Sequence, residues 1–298
     1  MYTQVVKGLV VCAALVVFIG ASGHNGQVGM AQNCTIVIFG NQLNQRVIDQ
    51  VPAGAVICIV NGEAKQSLRI GKSLTLLGVS KPVIQSSAPG YPALRIESQA
   101  EIDVTIVGIT FIGAPDYSDS RECVVEAPIW TCPDVIDIRG LSQVTLLQVI
   151  VSEGRDGLHI GGTARVEVKE SIVDENRRHG VWIGDSARVA LTQKTRIQSN
   201  GAGSQCSKAE IFCNGIEIRG QGALELKAAQ VWTNTDWGVS AVLKQCGYRE
   251  DSFSGQVTFQ GETIIDGNNR SGNQDGKGNP GSHPWNQPNV SDGQVCLP

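Results

Sequence analysis

Five side chains in the middle of the chain have the types and spacing that acid–base chemistry needs: Asp134, Asp137, Asp156, His159 and His179. Two carboxylates roughly 5–9.5 Å apart can act as acid and base on a glycosidic bond. At closer range they share a proton or hold a cation, for which calcium is the natural candidate. An imidazole beside them can pass a proton near neutral pH. Trp130, Trp182 and Trp237 offer flat apolar platforms on which a sugar ring can stack. Arg139, Arg219 and Glu217 complete a candidate substrate-binding set. No cofactor other than calcium is expected.

Whether these residues meet depends on the elements that carry them. Four segments repeat one pattern: VIDIRGLSQVTLLQVIVSEGRDG (135–157), GLHIGGTARVEVKESIVDENRRHG (157–180), GVWIGDSARVALTQKTRIQSN (180–200) and GIEIRGQGALELKAAQVWTNTDWG (215–238). The period is about 23 residues, and self-similarity at 20–50 residues marks a stacked architecture. Each repeat holds three short apolar bursts between Gly and polar turns. Seven first strands align: SLRI (67–70), ALRI (93–96), VIDI (135–138), GLHI (157–160), GVWI (180–183), GIEI (215–218) and GVSA (238–241). Their second and fourth positions are apolar throughout, and alternate residues of a strand face opposite sides. Those positions therefore stack inward and the third positions point to solvent. A second strand and a third burst follow in each repeat.

Three strands per turn, parallel from turn to turn, make an all-β parallel β-helix of about seven coils. A sandwich would show hairpin dipeptides between paired strands, and the Leu/Asn signature of leucine-rich repeats is missing. Residues 32–66 fall outside the repeat. They read as an N-terminal cap, with a short helix at 43–51, a Pro-Ala-Gly turn and a strand, as an open solenoid end requires. The repeats span 67–265. Residues 266–298, rich in Gly, Asn and Pro, read as a loop or extended wrap over the last coils.

Written in register, the repeat becomes a ruler. The third positions are Arg69, Arg95, Asp137, His159, Trp182, Glu217 and Ser240; three residues earlier stand Gln66, Pro92, Asp134, Asp156, His179, Asn214 and Trp237. Coils stack at about 4.8 Å, so Asp137 neighbours His159, and Asp156 lies between Asp134 and His179. Asp137 and Glu217 are about 14 Å apart, too far for an acid/base pair. Two inserts, 113–134 and 201–214, enter at one phase just before a first strand, and inserts at one phase often mark the binding face.

The run PAGAVICIV…SLRIGKSLTLLG, followed by G-(I/V/L)-x-I…V-x-(V/L) coils ending in Asn176, Asn200 and Asn234, resembles the pectin-lyase-like superfamily of right-handed parallel β-helix proteins. The likeness covers roughly residues 40–265 and implies a right-handed helix with ligands on one lateral face. It implies no single activity. The Asp and Gly-His-Gly motifs of polygalacturonases, the Asp-Phe-x-Phe-Gly block of pectin methylesterases and the Asp-Pro-His-Glu motif of alginate epimerases are all missing. A lyase base could be Arg139, Arg155, Arg178 or Arg219, and nothing selects one.

Composition narrows the setting. Charged residues make up 17%, glycines number 35 and the net charge is −4; this fits a turn-rich β protein and gives no basic stripe for nucleic acid. Residues 1–31 read as a signal peptide: Lys7, an apolar run from Gly8 to Ala21, then small residues with cleavage after Ala31 or near Ser22 or Gly23. Export leaves eight cysteines, and an even count argues for disulfides. Proximity suggests Cys123–Cys132 and Cys206–Cys213 as loop closures, Cys34–Cys58 in the cap and Cys246–Cys296 at the tail. The expectation is a secreted protein, extracellular or periplasmic, with no membrane contact after signal cleavage. It binds a polysaccharide or cell-surface glycan along a lateral groove, and catalysis is left open. The alternative is a polysaccharide lyase or glycoside hydrolase acting on an acidic polysaccharide.

Overall fold

The computed structural model describes residues 34–88, 90–114, 134–201, 206, 212–266, 268, 283–284 and 296–297. Residues 1–31, expected to be a signal peptide, Trp130 and the expected Cys123–Cys132 pair lie outside them. The fold is all-β, with two long parallel sheets and no closed barrel, an arrangement compatible with a parallel β-solenoid. One sheet joins the first and second strands of the repeats, and the other carries the third strands.

All seven first strands pair in the aligned register. Leu68 stands opposite Leu94, Leu94 opposite Ile136, Leu158 opposite Val181, and Ile216 opposite Val239. The inward pairs are buried from Leu68/Ile70 through Leu158/Ile160 to Val239/Ala241. Each Leu or Ile so covered contributes about 1.5–3 kcal/mol, so the alternation that writes the strands also builds the core. The second strands bury Val166/Val168 and Leu224/Leu226 in the same way, and the third strands bury Phe111, Val151, Val173 and Ile197.

Two features depart from the expected three separate strands and separate cap. In two repeats the first and second strands run on as one, Leu94–Val107 and Ile136–Leu147, because their linking residues also pair, Glu97 with Arg139 and Ser98 with Gly140. The cap segment also feeds both sheets. After the helix Gln45–Gln50, capped by the Asn44 side chain, strand Ala55–Ile59 pairs with Leu74–Gly78, and Glu63–Lys65 pairs with Val83–Gln85.

Left-handed residues bend the chain between second and third strands: Gly108 (φ 66°), Gln148 (54°), Glu170 (48°) and Ala228 (53°). At the far end of the third strands, Glu175, Ser199 and Thr233 repeat the device just before Asn176, Asn200 and Asn234. At the C-terminal end, His283–Pro284 and Cys296–Leu297 add antiparallel to the last strands of the two sheets. Disulfides join Cys34 to Cys58, Cys206 to Cys213 and Cys246 to Cys296, which fits an oxidising compartment. Among the described residues no helix is long and apolar enough to cross a membrane.

Candidate functional site

The outward ladder of the first strands holds the candidate residues in the expected order. Arg95 faces Asp137, Asp137 faces His159, His159 faces Trp182, Trp182 faces Glu217 and Glu217 faces Ser240. The incoming turns stack likewise, through backbone bonds from Val135 to Asp156, Gly157 to His179 and Gly180 to Asn214.

Their exposure is not as expected. Asp134, Asp137, Asp156, His179 and Glu217 are 5%, 1%, 0%, 0% and 0% exposed. Alternation along a strand fixes only which side chains leave the core. Here arginine side chains lie on the carboxylates that do, and an indole stacks on His159. The face is therefore a layer of buried charge rather than an open row of acids.

Each buried carboxylate is matched. Asp137 accepts from Arg95 Nε at 3.0 Å and Arg139 Nε at 2.7 Å, and the ion-pair contact of His159 is with Asp134, at 3.1 Å. Asp134 and Asp156 do come together: an oxygen of each and a His159 ring nitrogen lie within 4.8 Å of one another. One guanidinium nitrogen of Arg155 bridges them, 3.1 Å from Asp134 and 2.8 Å from Asp156. Arg155 thus meets the charge of both carboxylates, and His159 Nδ1 lies 3.1 Å from the other oxygen of Asp134. Burial pushes the Asp134 carboxyl above its ordinary value. Burial would do the same to Asp156, but Arg155, with His179 and Arg178 behind it, holds that carboxyl well below the usual range. The two neighbours are driven apart, as in working acid/base pairs, yet they face a guanidinium and not a cleft.

His179 belongs to a second cluster. Its Nδ1 accepts from the Asn214 backbone N–H at 3.0 Å, so a neutral ring carries its proton on Nε2, which lies 3.2 Å from Glu217. Burial lowers its pKa from 6.5 to about 4. Glu217 also accepts from Arg219 Nε at 2.8 Å and the Tyr248 hydroxyl at 2.9 Å. Burial opposes its ionisation, but the His179 ring and Arg219 bring its pKa below 4.5. Burial and then the Glu217 charge push the Tyr248 phenol well above 10. Glu217, expected to meet substrate, is instead sealed inside the protein.

What remains accessible is a strip above these carboxylates. The Arg139 and Arg219 side chains are 36% and 37% exposed, and each gives its Nε to a carboxylate below. Between them Trp182 stacks on His159, with ring centroids 4.1 Å apart and planes 28° apart. Its indole lies over Gly184, where a Cβ would meet the ring at 2.2 Å. Trp237 is half-buried, and its Nε1 donates to the Cys246 carbonyl at 3.3 Å.

Sequence reasoning did not single out Arg155 as the bridge or Tyr248 as a partner of Glu217. Arg155 precedes Asp156 directly, but nothing in that order says where its guanidinium points. Tyr248 follows the seventh first strand, outside any repeat that would place it. No family model, no curated protein and no solved structure matches the chain.

Proposed function

We propose that the protein is an exported right-handed parallel β-helix of the pectin-lyase-like type that binds polysaccharide on its first-strand face and does not cleave it. The reading rests on the strip of Trp182 between Arg139 and Arg219. An indole held flat by His159 and Gly184 is a preformed platform for a sugar ring. The two flanking guanidinium groups already have their charge met from below, and they keep outward N–H donors for sugar hydroxyl or carboxylate oxygens. The carboxylates that cleavage would call on are buried against Arg95, Arg139, Arg155 and Arg219. The three disulfides suit an exported protein.

The test is a panel of acidic and neutral polysaccharides, with and without calcium, read for binding, unsaturated products and new reducing ends. The expected result is binding without either product, weakened about tenfold in Trp182→Ala, which corresponds to about 1.4 kcal/mol. Binding untouched by Trp182→Ala removes the platform. Chain cleavage that disappears in Asp156→Ala establishes the enzymatic alternative instead.

A further inference from the structure

A backbone nitrogen attacks the side-chain amide of the asparagine before it most readily when it belongs to glycine, because no Cβ shields it. Asn-Gly occurs at Asn25, Asn61, Asn200 and Asn214, and the last three lie among the described residues. The fold treats these three differently. Asn200 and Asn214 are 1% and 0% exposed. The Asn200 amide donates to Val173 O, Gln198 O and Asn234 Oδ1, and the Gly201 N–H donates to Asn176 O at 2.8 Å. The Asn214 amide donates to the Tyr248 hydroxyl at 2.8 Å, and the Gly215 N–H to Trp237 O at 2.8 Å. In both pairs the amide and the attacking nitrogen are each held by another partner.

Asn61 and Gly62 are open on both counts. They lie in an exposed turn between strands Ala55–Ile59 and Glu63–Lys65, where the chain passes from one sheet to the other. Among the described residues neither the Asn61 side chain nor the Gly62 N–H has a hydrogen-bond partner. The carbonyls of the turn are engaged instead. Asn61 O accepts from the Gly40 N–H, and Gly62 O accepts from the Val83 N–H at 2.9 Å.

We infer that Asn61 is a site of spontaneous deamidation, with water as co-reactant, and that its isoaspartyl product loosens the N-terminal cap. The Gly62 nitrogen gives its proton to solvent base and bonds to the Asn61 Cγ. The Cγ–Nδ2 bond breaks, and ammonia leaves with a proton returned from solvent. Water then opens the resulting succinimide at either carbonyl, to aspartate or to isoaspartate. In isoaspartate the main chain runs through Cβ and Cγ. It gains one methylene, and the former Asn61 carbonyl becomes part of a free carboxylate. That carbonyl is the one to which Gly40 donates. The two glycines already pack backbone to backbone: a Cβ on Gly40 would meet Gly62 C at 2.5 Å. The added methylene therefore pushes against the turn Gly40–Gln42, which leads into the cap helix Gln45–Gln50.

Peptide mapping of the full chain, aged in mildly alkaline buffer either folded or in urea with reductant, tests the site. Unfolded, Asn61, Asn200 and Asn214 should gain the deamidation mass at similar rates. Folded, Asn200 and Asn214 should slow by at least about tenfold more than Asn61, since each must first be released by local opening. Asn61→Gln should lose the early mass gain. Comparable slowing at all three positions overturns the site. The isoaspartyl form, purified from the aged chain, tests the consequence by amide exchange. It should lose protection at Ile36–Ile38 and Ala55–Ile59 and keep it in the middle repeats. Freshly prepared Asn61→Asp carries the new charge without the methylene and should keep the protection of the parent. Equal loss in Asn61→Asp, or full protection in the isoaspartyl form, overturns the loosening of the cap.

Discussion

A neutral histidine sealed against an ionised glutamate ties the stability of this protein to pH. The folded-state pKa of His179 is about 4, against 6.5 for the free ring. As pH falls below about 6.5, the unfolded chain takes up a proton that the folded chain refuses until about 4, so stability is lost on acidification across that window. A difference of about 2.5 units corresponds to about 3 kcal/mol. Asp134 works the other way: its raised carboxyl gains a proton in the folded state first and offsets part of the loss. Asp156 and Glu217 are held below their ordinary values and withdraw their contributions only at lower pH. The urea midpoint of the wild type should therefore fall from about pH 7 to about pH 4.5. In His179→Asn, which keeps an acceptor for the Asn214 N–H but cannot titrate, the protein should be less stable at pH 7 and the slope flatter. Parallel slopes for the two proteins would clear His179 of the effect.

The element that repeats most strictly outside the strands is the ladder of asparagines at the ends of the third strands. Asn176 Nδ2 donates to Asn200 at 2.9 Å, Asn200 to Asn234 at 2.9 Å and Asn234 to Asn268 at 2.8 Å. Each amide also reaches the backbone, as Asn200 Nδ2 does to Val173 O and Gln198 O. Removing an inner rung strands buried donors and acceptors on both sides. Asn200→Ala should cost about 2–3 kcal/mol, and Asn268→Ala, bonded among the described residues to one ladder neighbour, Asn234, clearly less. Equal urea midpoints for the two variants would deny the ladder its cooperative role. The ladder was legible as three asparagines at one phase, and the core as Leu68/Ile70 through Val239/Ala241, because both depend only on period and alternation. The burial of Asp137 and Glu217 was not legible. It depends on where Arg95 and Arg139 lie on Asp137 and where His179, Arg219 and Tyr248 lie on Glu217, which the strand pattern does not encode.

At the scale of the molecule, stability is set by nearest-neighbour stacking, since each repeat pairs with the one before and the one after. Such a stack is weakest at its ends, where a terminal repeat has one neighbour and an open sheet edge. The N-terminal end is covered by the helix Gln45–Gln50 and the strand Ile36–Ile38. The C-terminal end has no α-helix among the described residues, only the single 3-10 turn Lys244–Cys246. It is closed instead by Cys296–Leu297, laid antiparallel on Val239–Ala241 and tied by Cys246–Cys296. A two-residue strand has too few hydrogen bonds to hold itself in place, so the disulfide is what keeps the edge closed. Cys246→Ala/Cys296→Ala should cost roughly 2–4 kcal/mol, and the loss should be local. Amide exchange should quicken at Val239–Ala241 and Gln256–Gln260 and fade through Ile216–Ile218, while Leu68–Ile70 and Leu94–Val107 keep their protection. A uniform loss of protection across all repeats would mean that the chain unfolds as one unit, and that the tail does not guard an end.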